Sequence, residues 1–266
     1  MTLNCIQQPH QDLDAKLEDG VLTLAINRPK AKNALYGELY LWIAQAIDEA
    51  DLNKDVRVII LRGLDNDFTA GNDMQDFLSF AQKPLAGKAG DNPPFVLLKS
   101  AAKFSKPLIV AIKGVAIGIG VTLLLHTDLV YSDNTALFQI PFVTLGLSPE
   151  GAASKLLIQQ AGYHRAAELL FTAQKFNAEK ALNAGLVNEI VEDVYAHADM
   201  QAKLLAALPI ASLKQTKALI KHNLQEIIDC IDDEAEIFMK RVQSPEMAEA
   251  VQAFMQKRKP DFSQFN

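Results

Sequence analysis

The chain has 266 residues, which is enough to bury a substantial hydrophobic core. Its hydrophobic content of 49% and charged content of 22% are typical of a folded globular protein, and its formal net charge of −6 argues against a general nucleic-acid binder. Its two cysteines, Cys5 and Cys230, form neither a metal-binding spacing nor a disulfide framework, which favours a reducing compartment.

The termini and the apolar runs carry no recognisable targeting signal. The N-terminal segment 1–12 is polar and lacks the apolar core of a signal peptide. The longest apolar stretch, residues 115–125, is too short to span a bilayer. The chain ends in Ser-Gln-Phe-Asn, which is no peroxisomal address. We therefore expect a cytoplasmic protein without a membrane partner.

Strand and helix patterns alternate along the first part of the chain. Residues 13–18 and 21–26 predict a β-hairpin, and residues 36–50 carry apolar side chains at helical spacing. Residues 56–61 and 108–112 are apolar without alternation, which is typical of buried parallel strands. This alternation of strand and helix predicts an α/β fold with a parallel sheet.

Later segments differ from this pattern. Residues 81–94 are rich in Gly, Pro, Lys and Asp without a period, so we predict a mobile loop there. After about residue 196 the strand patterns disappear, and helical patterns cover residues 198–207, 211–223, 224–241 and 245–257. We therefore divide the chain into a core, residues 1–195, and a helical C-terminal region, residues 196–266.

A basic turn follows the second predicted strand. Arg28, Lys30 and Lys32 lie within five residues of one another, which suits a ligand that carries phosphate. A turn of solvated charges is the alternative, because charge clusters commonly form solvated surfaces.

Two glycine-containing turns follow apolar runs. In residues 68–74, Phe-Thr-Ala-Gly-Asn-Asp-Met, small side chains allow backbone amides to approach a ligand, although a plain strand-to-helix turn fits equally. Residues 113–122 carry Gly114, Gly118 and Gly120 without a charge after Lys113. The second run matches neither the dinucleotide-binding fingerprint nor the P-loop. Its glycines therefore indicate close approach of a ligand or of another helix.

One acidic residue, Glu150, lies in the run 145–151, Leu-Gly-Leu-Ser-Pro-Glu-Gly, without a basic neighbour in sequence. Ser148, Pro149 and Glu150 fit a helix start, with serine as N-cap, proline at the first helical position and an acid in the first turn. The same tripeptide recurs at residues 244–246, where nothing indicates chemistry. The alternative is that Glu150 is a catalytic proton carrier.

The basic turn and the two glycine-containing turns, in this order and spacing, resemble the crotonase family, also called the enoyl-CoA hydratase/isomerase superfamily. The resemblance covers nearly the whole chain, from the hairpin before Asn27 to residues 257–260. It implies a spiral of ββα units to about residue 195, followed by helices that pack on the core or on neighbouring subunits. It also implies a homotrimer or a dimer of trimers.

The resemblance implies an acyl-CoA thioester as the substrate. The backbone amides of Asn72 and Ile119 match an oxyanion hole for the thioester carbonyl, in which each amide can contribute about 3–4 kcal/mol. The positions that match the acyl-CoA site are Lys30, Ala31, Lys32, Ala70, Gly71, Asn72, Asp73, Met74, Gly118, Phe142, Phe254 and Lys257. Phe254 and Lys257 match an aromatic residue and a cation that, in the family, often contact the CoA bound to a neighbouring subunit.

The proton-transfer residues implied by the resemblance favour one reaction. Thr122 and Phe142 stand where hydratases of the family carry two glutamates, and neither can shuttle a proton as a carboxylate does. Monofunctional Δ3-Δ2-enoyl-CoA isomerases, above all the peroxisomal type, keep one glutamate in a Leu-Gly-x-x-x-Glu-Gly context, which residues 145–151 resemble. The implied activity is isomerisation of 3-enoyl-CoA to trans-2-enoyl-CoA, with Glu150 as the single proton shuttle.

Two alternatives stay open at this point. One is an enoyl-CoA hydratase or another crotonase-type acyl-CoA enzyme, and the other is an acyl-CoA-binding protein without turnover. We expect no cofactor, because coenzyme A is part of the substrate, and the histidines show no metal-ligand spacing. We predict that His126 is a hydrogen-bonded core residue and that Asp128 is structural.

Overall fold

The computed structural model describes residues 3–77 and 87–265. Part of the loop predicted at residues 81–94, namely residues 81–86, lies outside the described residues. In the remaining part, Ala89–Asp91 form a 3₁₀ turn and a helix begins at Pro93. Within the described residues, no helix is both long enough and apolar enough to cross a bilayer.

The larger of two sheets contains the strands that the sequence predicts. Its strands are β1 (Leu13–Glu18), β2 (Val21–Ile26), β3 (Val58–Gly63), β4 (Leu108–Ile112), β6 (Leu129–Ser132) and β9 (Glu189–Ile190), in the spatial order β1-β2-β3-β4-β6-β9 among the described residues. The first two strands form the predicted antiparallel hairpin, and the other neighbours pair in parallel. The predicted α/β fold with a parallel sheet is confirmed.

A smaller sheet lies alongside the first one. It consists of β5 (Val115–Ile117), β7 (Leu137–Gln139) and β8 (Phe176–Asn177). The consecutive pairs β4–β5 and β6–β7 each place one strand in either sheet, and each pair is followed by a helical segment. This repetition is the ββα spiral that the resemblance implied.

Helices cover the sheets and fill the C-terminal part. Their bounds are Asn4–Gln7, Gly37–Leu52, Pro93–Lys103, Ile119–Thr122, Ala153–Ala161, Tyr163–Thr172, Ala178–Asn183, Val194–Ala207, Ile210–Ile220, Leu224–Val242 and Pro245–Met255. The helices predicted from periodicity lie close to their expected bounds.

The Val194–Ala207 helix covers one face of the larger sheet. Its buried residues recur every fourth position, which is the spacing of one helix face: Val194, Ala198, Ala202 and Ala206. They share a core cluster with Val58 and Ile60 of β3 and with Ile109 of β4. The division of the chain at residue 195 stays a prediction, and this helix runs across it.

The Leu224–Val242 helix packs on the main core of the same chain. Ile231 and Phe238 are buried on its inner face. The Phe238 ring meets the ring of Phe95 edge to face, with centroids 5.9 Å apart. This contact is of the kind that aromatic pairs favour. The C-terminal region therefore contributes directly to the interior around the site.

The helix start predicted at Ser148-Pro149-Glu150 is wrong. The helix begins at Ala153, so Glu150 precedes it and is not in its first turn. Gly151 and Ala152 both adopt positive φ, 75° and 55°, which turns the chain between the carboxyl group and the helix. Glu150 therefore does not occupy a first helical turn, where the helix dipole would lower its pKa.

Candidate active site

Glu150 lies in the protein interior. Only 3% of its surface is exposed, and Thr122, itself fully buried, donates from Oγ1 to Glu150 Oε1 over 2.5 Å. Burial raises the pKa of Glu150 to about 8; the Thr122 hydrogen bond opposes this rise, and the charge of Glu234 adds to it. The carboxyl group therefore exchanges a proton near neutral pH, as a proton shuttle requires.

The backbone after Glu150 is fixed by a buried histidine. His126 Nε2 lies 2.8 Å from the carbonyl oxygen of Gly151, so this nitrogen carries the hydrogen and donates it. Burial lowers the pKa of His126 to about 4, and the ring is therefore neutral at pH 7. The prediction of a hydrogen-bonded core histidine is confirmed, and its contact orients the residue next to Glu150.

An interior pocket brings Glu150 together with the two expected oxyanion-hole residues. Its lining comes from the Gly37–Leu52, Pro93–Lys103 and Leu224–Val242 helices, the two glycine turns with the residues that follow them, and Glu150: Tyr40, Asn72, Asp76, Phe77, Asn92, Pro94, Phe95, Ile119, Glu150, Phe238, Met239 and Val242. Most of these side chains are apolar, which suits an acyl chain and explains the high pKa of the carboxyl group.

The Asn72 amide is directed away from its neighbouring chain segment. Leu35 donates to the carbonyl of Gly71 over 2.8 Å and accepts from the amide of Asp73 over 2.7 Å. In a parallel bridge of this kind, the amide of the intervening residue points to the opposite side. Asn72 lines the pocket, so its N–H is available there to an acceptor.

The Ile119 amide is available for a different reason. Ile119 is the first residue of a four-residue helix, and the first amides of a helix have no partner within it. Gly118 precedes it with φ of 58°, a conformation that glycine adopts without strain. The residue also lines the pocket. Two backbone donors therefore stand beside one buried carboxyl group.

Gly71 is what allows the two turns to lie against each other. Its φ is 84°, and a Cβ atom added there would lie 2.6 Å from the carbonyl oxygen of Ile117. The strands that lead into the two turns are joined by the amide of Ile117, which donates to the carbonyl of Thr69 over 3.1 Å. Any larger side chain at Gly71 would push the two amide-bearing turns apart.

A groove leads from the surface to this pocket. It has a volume of about 540 Å³, and Asn72, Phe77 and Phe238 line both spaces. Of the residues predicted for the acyl-CoA site, the groove is lined by Ala31, Ala70, Gly71, Asn72, Asp73, Met74, Gly118 and Phe142. The two glycine turns thus contribute to one continuous space.

The charged residues predicted for the site are arranged differently from the glycine turns. Arg28 lines the groove, and its guanidinium is paired with Asp73 over 2.7 Å. Lys30 and Lys32 belong to the same turn but are absent from the groove lining. Asp128 is paired with Lys217 over 2.6 Å, which confirms its structural role.

The two C-terminal positions also stay apart from the groove in this chain. Phe254 is 65% exposed near the end of the Pro245–Met255 helix. Lys257 follows that helix and is exposed as well. Neither lines the groove among the described residues. Their expected contact with the CoA of a neighbouring subunit stays a prediction.

Sequence reasoning missed three side chains at the site. The Tyr40 hydroxyl donates to Oδ1 of Asn72 and so holds that turn, Asp76 lines the pocket, and Glu234 lies near Glu150. Tyr40 shares the buried helix face of Ile43 and Ile47, which was a usable signal. Asp76 and Glu234 looked like ordinary helical charges in the sequence.

The fold and the site together define the class of protein. A ββα spiral that places two backbone amides beside a buried carboxyl group is the arrangement of a crotonase-fold protein, and solved structures of that fold match this one. Residues 16–265 match the family described as Enoyl-CoA hydratase/isomerase, so the chain belongs to this family.

Relatives with different reactions are similar to the chain. It is 32% identical to human enoyl-CoA delta isomerase 2 over 248 residues, which are 91% of this chain and 62% of that protein. It is 29% identical to 2,3-dehydroadipyl-CoA hydratase of Escherichia coli (strain K12) over 255 residues, which are 94% and 98% of the two chains. A crystal structure of an Acinetobacter baumannii protein of the enoyl-CoA hydratase/isomerase type matches with a TM-score of 0.90 and 76% identity. The match covers 92% of this chain and 99% of that chain.

Proposed function

We propose that the protein converts 3-enoyl-CoA into trans-2-enoyl-CoA, as an isomerase nearest to the peroxisomal Δ3-Δ2 type. The Glu150 carboxylate removes a proton from C2 of the substrate. The electron pair moves onto the thioester oxygen, and the amides of Asn72 and Ile119 donate to that oxygen in the dienolate. The same carboxyl group then returns the proton at C4, and the double bond comes to rest between C2 and C3.

One observation carries this proposal: a single strongly buried carboxyl group of raised pKa shares the pocket with both amides. At the two positions where hydratases of the family hold water between glutamates, this chain has Thr122, which donates to Glu150, and Phe142, which is buried. One base is sufficient for a 1,3-proton shift, whereas the two-glutamate hydration mechanism has no counterpart in those positions.

The direct test follows the proton. A 3-hexenoyl-CoA substrate carrying deuterium at C2 is converted, and the product is examined by mass spectrometry for deuterium at C4. If Glu150 carries the proton between both carbons, part of the label reaches C4, because a buried acid exchanges slowly with solvent. Hydration of crotonyl-CoA, assayed in parallel, is expected to be far slower. Efficient hydration with no isomerisation would contradict the proposal.

Hydration is the second candidate, and Asp76 favours it. This carboxyl group lines the same pocket as Glu150 and accepts a hydrogen bond from the amide of Gly37 over 2.8 Å. A second acid in the pocket is what a hydratase needs to hold a water molecule. Asp76→Asn should therefore abolish crotonyl-CoA hydration if that is the main activity, and should leave isomerisation largely intact if Asp76 only caps the Gly37–Leu52 helix.

The proposal includes an acyl-CoA complex and an oligomer. Large apolar side chains remain exposed on the C-terminal helices, among them Leu219 at 78%, Ile220 at 73% and Met255 at 71%. Exposed apolar surface of this kind favours contacts with further subunits. Light scattering after size exclusion tests for a trimer or a dimer of trimers. Thermal stabilisation by acyl-CoA without any product would instead support a binding protein.

A further inference from the structure

Glu234, on the Leu224–Val242 helix, is a second buried carboxyl group near the first. It is only 7% exposed, and its Oε1 accepts a hydrogen bond from the amide of Ser154 over 2.9 Å. The amides of Ala152 and Ala153 also face this carboxylate and oppose the rise in its pKa that burial causes. A side chain 80 residues along the chain thus binds the backbone that follows Glu150.

The backbone amides that follow Glu150 need a hydrogen-bond acceptor from another part of the chain. Gly151 and Ala152 have φ of 75° and 55°, and the left-handed conformation is strained for a residue with a side chain. Ala152 is also completely buried, and the amides of a left-handed turn followed by a helix start converge on one point. Without an anion at that point, the buried amides would lose their partner. Glu234 supplies this anion.

The charges around the two carboxyl groups are few. The titratable and hydroxyl groups near them come from several elements: Tyr40, Asp76, Thr122, Ser154 and Cys230. The neutral ring of His126 contacts the carbonyl of Gly151 instead. Among the described residues, no ion pair includes Glu150 or Glu234. The charge of Glu234 acts on Glu150, and Lys155, the cation next to Ser154, is paired with Glu226 over 2.6 Å and not with either carboxyl group.

We propose that Glu234 is a positioning residue for proton transfer at Glu150. Its carboxylate fixes the Gly151–Ala152 turn, and its negative charge lies near the Glu150 carboxyl group. This inference rests on the proposed function insofar as Glu150 is the catalytic base. The two effects act together, because the turn sets where the base lies and the charge sets how strongly the base holds its proton.

Three variants separate this role from simple helix capping. Glu234→Gln keeps an oxygen acceptor for Ser154 and removes the charge, whereas Glu234→Asp keeps the charge on a shorter side chain. Glu236→Gln is the matched control, because Glu236 lies on the same helix, is exposed and undergoes the same change of charge. Only the charge at position 234 is expected to alter the titration of Glu150.

The first measurement needs no turnover. An infrared titration follows the C=O stretch of the protonated Glu150 carboxyl group, which is assigned by its loss in Glu150→Gln. Wild type and Glu236→Gln should show a midpoint near the pKa of about 8. In Glu234→Gln the midpoint should fall, because a like charge that disfavoured ionisation is gone. Glu234→Asp should keep a midpoint close to that of wild type.

The second measurement is the pH profile of isomerisation. In Glu234→Gln the ascending limb of kcat/KM should move to lower pH, in step with the infrared midpoint. Its kcat at high pH should fall by about tenfold, because a carboxylate of lower pKa is a weaker base towards the C2 proton. KM should stay within about twofold of wild type, because Glu234 does not line the groove.

The outcomes separate this inference from the proposed function. An infrared midpoint that is the same in Glu234→Gln and wild type overturns the role of Glu234, whatever the activity. If the midpoint falls as expected but no variant isomerises 3-enoyl-CoA, the proposed function fails and the coupling of the two carboxyl groups stands. If Glu234→Gln does not fold, Glu234→Asp decides: a lowered midpoint despite the retained charge overturns the inference.

Discussion

The tripeptide Ser-Pro-Glu occurs twice in this chain and forms two different structures. At residues 244–246, Ser244 Oγ accepts from the amide of Met247 over 3.2 Å, and a helix begins at Pro245. At residues 148–150, the helix begins only at Ala153, and the Ser148 hydroxyl is buried without a hydrogen-bond partner among the described residues. The copy at residues 244–246 caps a helix, and the copy at residues 148–150 places Glu150 in the lining of the interior pocket.

Glu150 and Glu246 differ in their exposure to solvent and in their pKa values, as well as in their backbone conformation. Glu246 is partly exposed in the first turn of its helix, and the backbone amide and Arg241 lower its pKa. Burial raises the pKa of Glu150 to about 8. The same three residues therefore give a charged residue at a helix cap or a buried carboxyl group of raised pKa, and what decides is the Gly151–Ala152 turn and the helices packed around it.

The chain just before residues 148–150 contacts the copy at residues 244–246 and the helix that precedes it. Arg241 donates from Nε to the carbonyl of Gly146 over 2.8 Å. A Cβ atom added at Gly146 would lie 2.9 Å from Cβ of Glu246, so the two segments lie in close contact. These contacts help to hold the segment that leads to Glu150 in place.

The largest expected effect is on kcat, which should fall when Glu150 is replaced and stay unchanged when Glu246 is replaced. Glu150→Gln should lower kcat for isomerisation by about 10³-fold or more, because it removes the only base at the proton-transfer position. Glu246→Gln is the matched control in the same tripeptide and should keep wild-type turnover. Both are measured with 3-hexenoyl-CoA, and acyl-CoA affinity is measured by calorimetry.

Affinity distinguishes chemistry from misfolding in this test. The groove is unaffected by the substitution, so Glu150→Gln should bind acyl-CoA as tightly as wild type. If Glu150→Gln retains full turnover, the assignment of Glu150 is wrong. If Glu246→Gln loses as much activity as Glu150→Gln, the contrast between the two copies disappears.

Replacing each of the two glutamates should change the free energy of unfolding in opposite directions. Between pH about 4.5 and about 8 the unfolded chain releases the Glu150 proton while the folded chain keeps it, so the free energy of unfolding decreases as the pH rises. Glu150→Gln avoids this loss and should be more stable than wild type by a few kcal/mol at pH 9, on the order that such a shift implies. Urea unfolding at pH 5, 7 and 9 measures the difference.

For Glu246 the sign is reversed. Its folded pKa is lowered, so its carboxylate stabilises the fold above its unfolded pKa, and this contribution is lost as the pH falls through the folded value. Glu246→Gln should therefore be slightly less stable than wild type at pH 7 and indistinguishable from it in acid. A destabilised Glu150→Gln variant at pH 9 would contradict the raised pKa of Glu150.

The same contrast shows what the sequence can and cannot predict. Hairpin, parallel strands and C-terminal helices follow from local periodicity, and the two amide-bearing turns are visible from their glycines. The position of Glu150 is not, because Ser-Pro-Glu is a sound helix start locally and is overridden by a turn at Gly151. The contribution of Glu234 depends on a contact 80 residues apart, which no local pattern contains.

Thr122 is the hydrogen-bond partner of Glu150, and its removal should produce a smaller effect than removal of the carboxyl group. The Thr122 hydroxyl lowers the pKa of Glu150 through its 2.5 Å hydrogen bond. Thr122→Val keeps the shape and removes the donor, so the pKa should rise further above its ordinary value. Because the base must be ionised, kcat/KM at pH 7 should fall by about tenfold, which matches one charged hydrogen bond. An acid shift of the pH profile would refute this role.

The smallest expected effect concerns the two serines. Ser244→Ala removes an N-cap hydrogen bond and should cost about 1 kcal/mol of stability. Ser148→Ala removes a buried hydroxyl that has no hydrogen-bond partner among the described residues, so it should change stability by less than about 0.5 kcal/mol. Urea unfolding of the two variants at one pH gives the comparison. Equal losses would mean that Ser148 also caps a helix in solution, and that the turn at Gly151 does not separate the two copies.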